Sequence, residues 1–144
     1  MTAGTPTPGR HRATVALVVW TFLVWTTRIA NIWRDADLDT GERWGRTLLA
    51  LSFTILAIAV AVALWRRLRQ PRLVAVAALA GWTIAVWVVR GIGILAADHD
   101  PGFKAVHTTL AVVSIVLAVL AWRETRRETA RQPRAAPVAA GRRR

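Results

Sequence analysis

The chain has no cysteine among its 144 residues, which excludes disulfides and thiolate metal sites. It has one lysine, Lys104, so its positive charge is almost entirely arginine. Eight acidic residues face twenty basic ones, and none of the acids falls inside a long apolar run. A proton-coupled transporter would therefore lack its usual intramembrane carboxylate. Also missing are Gly-x-Ser-x-Gly, His-Glu-x-x-His and any other pairing of nucleophile with base, so the chain does not read as an enzyme. A haem held between helices needs two axial ligands, and the three histidines, His11, His99 and His107, are scattered over a tail, a loop and a helix start. No cofactor is expected.

What is present is apolar surface. The hydrophobic fraction is 54% and the mean hydropathy +0.36, which places the chain in the membrane class. A net charge of +12 would suit a nucleic-acid binder, but the charges cluster at the ends of the apolar runs, so nucleic acid is not an expected partner. Four uncharged stretches occupy residues 13–27, 47–65, 73–89 and 105–122. A spanning helix needs about 20 apolar residues. The second and fourth stretches qualify, while the first and third reach that length only by running through Arg28 to Trp33 and through Arg90 to Ala97. Trp20, Trp25 and Arg28 interrupt the place where a signal-peptide cleavage site would lie, so the first run is retained as a helix.

The expected fold is all-α, a four-transmembrane-helix bundle. Its expected parts are an unpacked cytoplasmic N-terminus (1–12), a first hairpin (13–65), a basic cytoplasmic loop (66–72), a second hairpin (73–122) and a basic, disordered cytoplasmic tail (123–144) lying against anionic headgroups. Arginine placement sets the orientation. Arg10, Arg12, Arg66, Arg67, Arg69, Arg72 and the tail arginines mark the inner side, and the loops with Arg34, Arg43, Arg46 and Lys104 hold six of the acids and face outward. Both termini are then cytoplasmic.

The two hairpins look like copies. Trp20-Thr21, Trp25 and Arg28 recur as Trp82-Thr83, Trp87 and Arg90 at an offset of 62, and Asp37, Asp39 and Gly41 recur as Asp98, Asp100 and Gly102 at 61. An even number of crossings separates the copies, so they form parallel repeats about an axis along the membrane normal. At 100° per residue, Trp82, Thr83, Trp87 and Arg90 share one face of the third helix, and Ala77, Gly81 and Ala85 form a small-residue ridge on the other. Ala50, Thr54, Ala57 and Ala61 in the second helix, and His107, Ala111, Ser114 and Ala118 in the fourth, make similar ridges. A compact bundle should result.

The run Trp25-Thr26-Thr27-Arg28-Ile29-Ala30-Asn31-Ile32-Trp33-Arg34-Asp35 and the later Phe103-Lys104-Ala105-Val106-His107-Thr108-Thr109-Leu110-Ala111-Val112-Val113-Ser114 resemble the two halves of a small actinobacterial two-helix integral membrane protein family. His107 has Arg46 as its counterpart in the first copy, and Asn31-Ile32-Trp33 has Gly93-Ile94-Leu95 in the second. The resemblance implies a tandem duplication and a bacterial plasma-membrane address. It implies no activity.

Among individual residues, Arg28 and Arg90 stand out, because an ionisable group within a spanning helix costs roughly 2.5–3.5 kcal/mol and tends to face the bundle interior. The expected role is structural, each side chain either snorkelling to the headgroups or pairing with an acid one or two turns on, Asp35 for Arg28 and Asp98 for Arg90. The competing reading is an anion or lipid-headgroup site flanked by Trp20, Trp25, Trp82 and Trp87, residues otherwise expected to pack. Trp33, Trp44, Trp65 and Trp122 read as an interfacial belt. Asp39 with Glu42 reads as a capping box, and Asp100 followed by Pro101 as a second helix start. Asp98, His99, Asp100 and His107 are weak metal candidates outside the membrane, and His107 is expected by default to hydrogen-bond between helices. The functional expectation is an accessory or assembly partner in contact with lipid, as a homo-oligomer or beside another membrane protein. The alternative is a small oligomeric channel or transporter.

Overall fold

The computed structural model describes residues 11–130, and they form an all-helical chain: α1 (Arg12–Arg34), α2 (Thr40–Trp65), α3 (Arg69–Ala96) and α4 (Pro101–Ala130). All four are long and apolar enough to cross a membrane. α1 and α3 run through Arg28 and Arg90, as length required. Two boundaries differ from expectation. α3 starts at Arg69, inside the basic loop, and α4 continues past Trp122 to Ala130. The extension is held because Glu124 and Glu128 find partners on other elements. The expected unpacked ends, 1–8 and 132–144, lie outside the described residues.

The two short turns at the Arg28 end start helices as the sequence indicates. Asp39 Oδ1 accepts from Glu42 N at 2.9 Å, while the Glu42 carboxylate turns to Arg46 at 3.4 Å. Asp100 Oδ1 accepts from Gly102 N at 2.8 Å and Phe103 N at 3.3 Å, satisfying donors that the first turn leaves free. At the other end, α2 stops in a Schellman closure: Leu68 N donates to Ala63 O at 2.9 Å and Arg67 N to Leu64 O at 3.1 Å. That closure puts Arg67 at a φ of 53°, a left-handed conformation usually taken by glycine. Arg67→Gly should therefore raise stability by about 1 kcal/mol in a denaturation assay; no gain would mean that the Arg67 side chain makes an offsetting contact.

α1 packs on α2 and α4, and α3 on the same two, so the helices form a square with α1 across from α3. Small residues line the contacts: Ala50, Ala57, Ala63, Ala80, Ala111, Ala118 and Ala121 are buried, which lets backbones approach closely. The larger fully buried side chains are Leu17, Phe53, Val60, Val76 and Leu79. The ridges on α2 and α4 thus face inward. The third ridge does not: Gly81 and Ala85 are exposed, and a Cβ on Gly81 would meet nothing. Cross-links between helices are polar. Trp20 Nε1 donates to Ser114 Oγ at 2.9 Å, and Trp82 Nε1 to Ser52 Oγ at 2.9 Å.

The N-terminus of α1 has no side-chain cap of its own and no acid in its first turn. Glu124 of α4 supplies one from outside the helix, accepting from Ala13 N (3.3 Å), Thr14 N (2.9 Å) and Thr14 Oγ1 (2.8 Å). A carboxylate there satisfies orphan donors and complements the helix dipole. Beside it, Glu128 binds Arg72 at 2.9 Å and His11 at 2.9 Å. Glu124→Ala should cost about 2 kcal/mol, because it strands these donors, Thr14 being buried. Thr14→Val, which leaves both amide bonds in place, should cost less; equal losses would refute the capping role.

Candidate anion site

Four residues, one per helix, lie at the same depth. Arg28 and Arg90 precede the last residues of α1 and α3 by six positions, and Arg46 and His107 follow the first residues of α2 and α4 by six. At 1.5 Å per residue this puts all four about 9 Å inside one end of the bundle. Arg28, Arg46 and Arg90 thus place three like charges at one depth, on α1, α2 and α3.

Arg28 and Arg90 line a single cavity of about 420 Å³, a volume within the range of small-molecule sites. Its walls come from α1 (Leu23, Val24, Trp25, Thr27, Arg28, Asn31), α3 (Trp87, Arg90) and α4 (Phe103, Val106, His107, Leu110). None of these is a carboxylate. Neither arginine has a hydrogen bond or ion pair to protein among the described residues, although other cations at this end do. Arg43 Nη2 donates to Asp35 O at 2.9 Å and lies over the Trp33 ring, Arg46 pairs with Glu42, and Lys104 Nζ donates to Leu95 O at 3.3 Å.

The expected pairing of Arg28 with Asp35 and of Arg90 with Asp98 is therefore absent, and the reason is the backbone. Asp35, just after α1, and Ala97, just after α3, are in extended conformation (ψ 110° and 156°), so the chain leaves the helical path before the acids can line up above the arginines. Asp35 Oδ1 instead accepts from Asp37 N at 3.1 Å.

Of the four expected tryptophans, the structure brings Trp25 and Trp87 to the cavity, both nearly buried at 5% and 6% exposure. Trp25 stacks on Phe53 of α2 with ring centroids 3.9 Å apart, which fixes the indole that forms the cavity wall. Trp20 and Trp82 sit nearer the middle of the bundle, held by Ser114 and Ser52, and do not line the cavity.

The weak metal candidates are not brought together. Asp100 caps α4, and the Phe103 ring lies between those of His99 (4.8 Å) and His107 (3.9 Å). Among the described residues no group of His, Asp and Glu is placed to hold a metal. His107 does not bridge helices either: its Nδ1 meets Phe103 O at 2.9 Å. A carbonyl only accepts, so Nδ1 carries the proton and Nε2 is the ring nitrogen left for a ligand. Leu23, Val24, Thr27, Asn31, Phe103, Val106, His107 and Leu110 are the lining residues that sequence reasoning did not assign to this site; the shared inset of Arg28, Arg46, Arg90 and His107 from their helix ends was the signal that could have found the histidine.

The arrangement, two unpaired guanidinium groups with a carboxamide, an imidazole and two indoles, is suited to holding an anion. No protein-family model, curated protein or solved structure matches this chain.

Proposed function

We infer that the chain is a multi-pass bacterial plasma-membrane protein that holds an anionic group between Arg28 and Arg90 and works as a non-enzymatic accessory or assembly partner. One observation carries this reading: both arginines line one cavity with no carboxylate to neutralise them. Two half-buried cations left unpaired in an apolar helix are costly, and a bound anion offsets that cost.

The distribution of side-chain size supports insertion. Small residues line the helix contacts, while Val15, Val19, Leu48, Ile55, Val74, Val89 and Val116 are exposed, the pattern expected against lipid. The arginine bias puts the cavity end outside and both termini in the cytoplasm. Reporter fusions at Gln70 and at the C-terminus should then signal a cytoplasmic location; a periplasmic signal from either would overturn this orientation. The duplication is supported by the crossed tryptophan–serine bonds, since Trp82 follows Trp20 by 62 positions and Ser114 follows Ser52 by the same 62.

The test of the binding reading is ligand retention. Protein extracted gently from its membrane should carry a phosphate- or carboxylate-bearing molecule detectable by native mass spectrometry, and Arg28→Gln should lose it. Passage of solute, the channel alternative, would need a path between copies, because Leu17, Phe53, Val60, Val76 and Leu79 close the middle of one bundle. Proteoliposomes of an accessory protein should show no flux, and flux would favour the oligomeric channel.

A further inference from the structure

The lining of the cavity changes character with depth. Counted from the helix ends, Asn31 and Phe103 lie within three residues of the mouth, and Arg28, Arg90 and His107 six residues in. Trp25, Trp87 and Leu110 lie nine in, and Val24 and Leu23 deeper still. Every charged or amide side chain is thus in the upper part. The lower part is rings and aliphatics. From Asn31 to Leu23 the gradient extends about 12 Å along α1.

The opening is also lateral. α3 supplies the back wall through Trp87 and Arg90, α1 and α4 supply the flanks, and α2 contributes nothing. On the flanks Leu23 and Val106 are each 58% exposed. In a bilayer that exposure is to acyl chains. An inorganic anion would use the arginines and leave the apolar floor empty, whereas a molecule with a charged head and a hydrocarbon tail would match both halves.

We propose that the ligand is a phosphate-bearing amphiphile of the outer leaflet, which slides in between α1 and α4, sets its phosphate between Arg28 and Arg90 and lays its chain on Leu23, Val24 and Leu110. This rests on the anion reading given above and specifies its ligand. Two guanidinium forks match the oxygens of one phosphate, and His107 Nε2 is at the right depth to accept from a phosphate or glycerol hydroxyl.

The experiment uses the full chain in a neutral maltoside detergent with three probes: inorganic phosphate, glycerol 3-phosphate and a dioctanoyl phosphatidic acid, with binding followed by native mass spectrometry. The acyl-bearing probe should bind at least roughly tenfold more tightly than glycerol 3-phosphate, since a few buried methylenes suffice for that factor. The double variant Arg28→Gln, Arg90→Gln should lose all three. Leu110→Trp, which fills the floor, and Leu23→Gln, which makes it polar at an exposed position that cannot unfold the core, should weaken only the acyl-bearing probe. If all three probes bind alike and the floor variants change nothing, the amphiphile proposal falls and the anion site stands. If the phosphatidic acid binds the double arginine variant as well as the native protein, both fall.

Discussion

Replacing both Arg28 and Arg90 with Gln should lower affinity for a phosphate-bearing ligand at least about 100-fold, because two charge-assisted hydrogen-bonding groups contribute about 1.5–3 kcal/mol each. Stability of the unliganded protein should rise rather than fall, because the substitutions remove two half-buried, unpaired cations and no bonded partner. The asymmetry follows from the geometry. Among the described residues neither guanidinium is bonded to protein, so the unliganded fold loses no partner when they are neutralised. Arg-to-Lys variants should fall between, keeping the charge and losing the planar fork. Ligand titration and thermal unfolding on the same preparations separate the effects. Marked destabilisation by Arg28→Gln, reproduced by Asp35→Asn, would restore the ion-pair role.

Phe53→Ala should be the most damaging single change to the fold, at about 3 kcal/mol. Phe53 is fully buried, stacks on Trp25 at 3.9 Å and meets Trp82 at 6.1 Å in a tilted contact. An unfilled ring-sized void at this position forfeits dispersion that nothing replaces. The same ring seats Trp25, a wall of the cavity. Ligand affinity should therefore fall along with stability, unlike the arginine variants, where only affinity falls. A loss under about 1 kcal/mol in mixed-micelle unfolding would show that the aromatic stack is not the centre of packing.

The helices themselves could be read from the residue order. Length and apolarity set four helices long and apolar enough to cross a membrane, the length expected of such a helix extended α1 and α3 through their arginines, and Asp39 and Asp100 with Pro101 marked two starts. The presence of Arg28 and Arg90 in those helices was equally legible, but that Trp25 and Trp87 rather than Trp20 and Trp82 line the cavity beside them was not. What the arginines do was not. Their nearest acids in sequence, Asp35 and Asp98, suggested pairing, yet the backbone turns extended at Asp35 and Ala97 and carries the carboxylates away.

The same limit explains the other departures. Trp20 and Trp25 are five positions apart, about 140° on a helix, so one can face α4 while the other stacks on α2. Which does which depends on where Ser114 and Phe53 stand. Ala77, Gly81 and Ala85 look as suited to packing as the ridges of α2 and α4, but in a square bundle each helix has two neighbours, and this ridge faces neither closely. Glu124 reads as an acid in a basic tail until α4 is placed beside α1, where it becomes the cap that α1 lacks. Local order determined the four helices, two of their starts and the identity of the half-buried cations. Only the packing of the four helices, which brings residues far apart in sequence to one depth on different helices, decided that two of those cations share an apolar-floored cavity without a counterion.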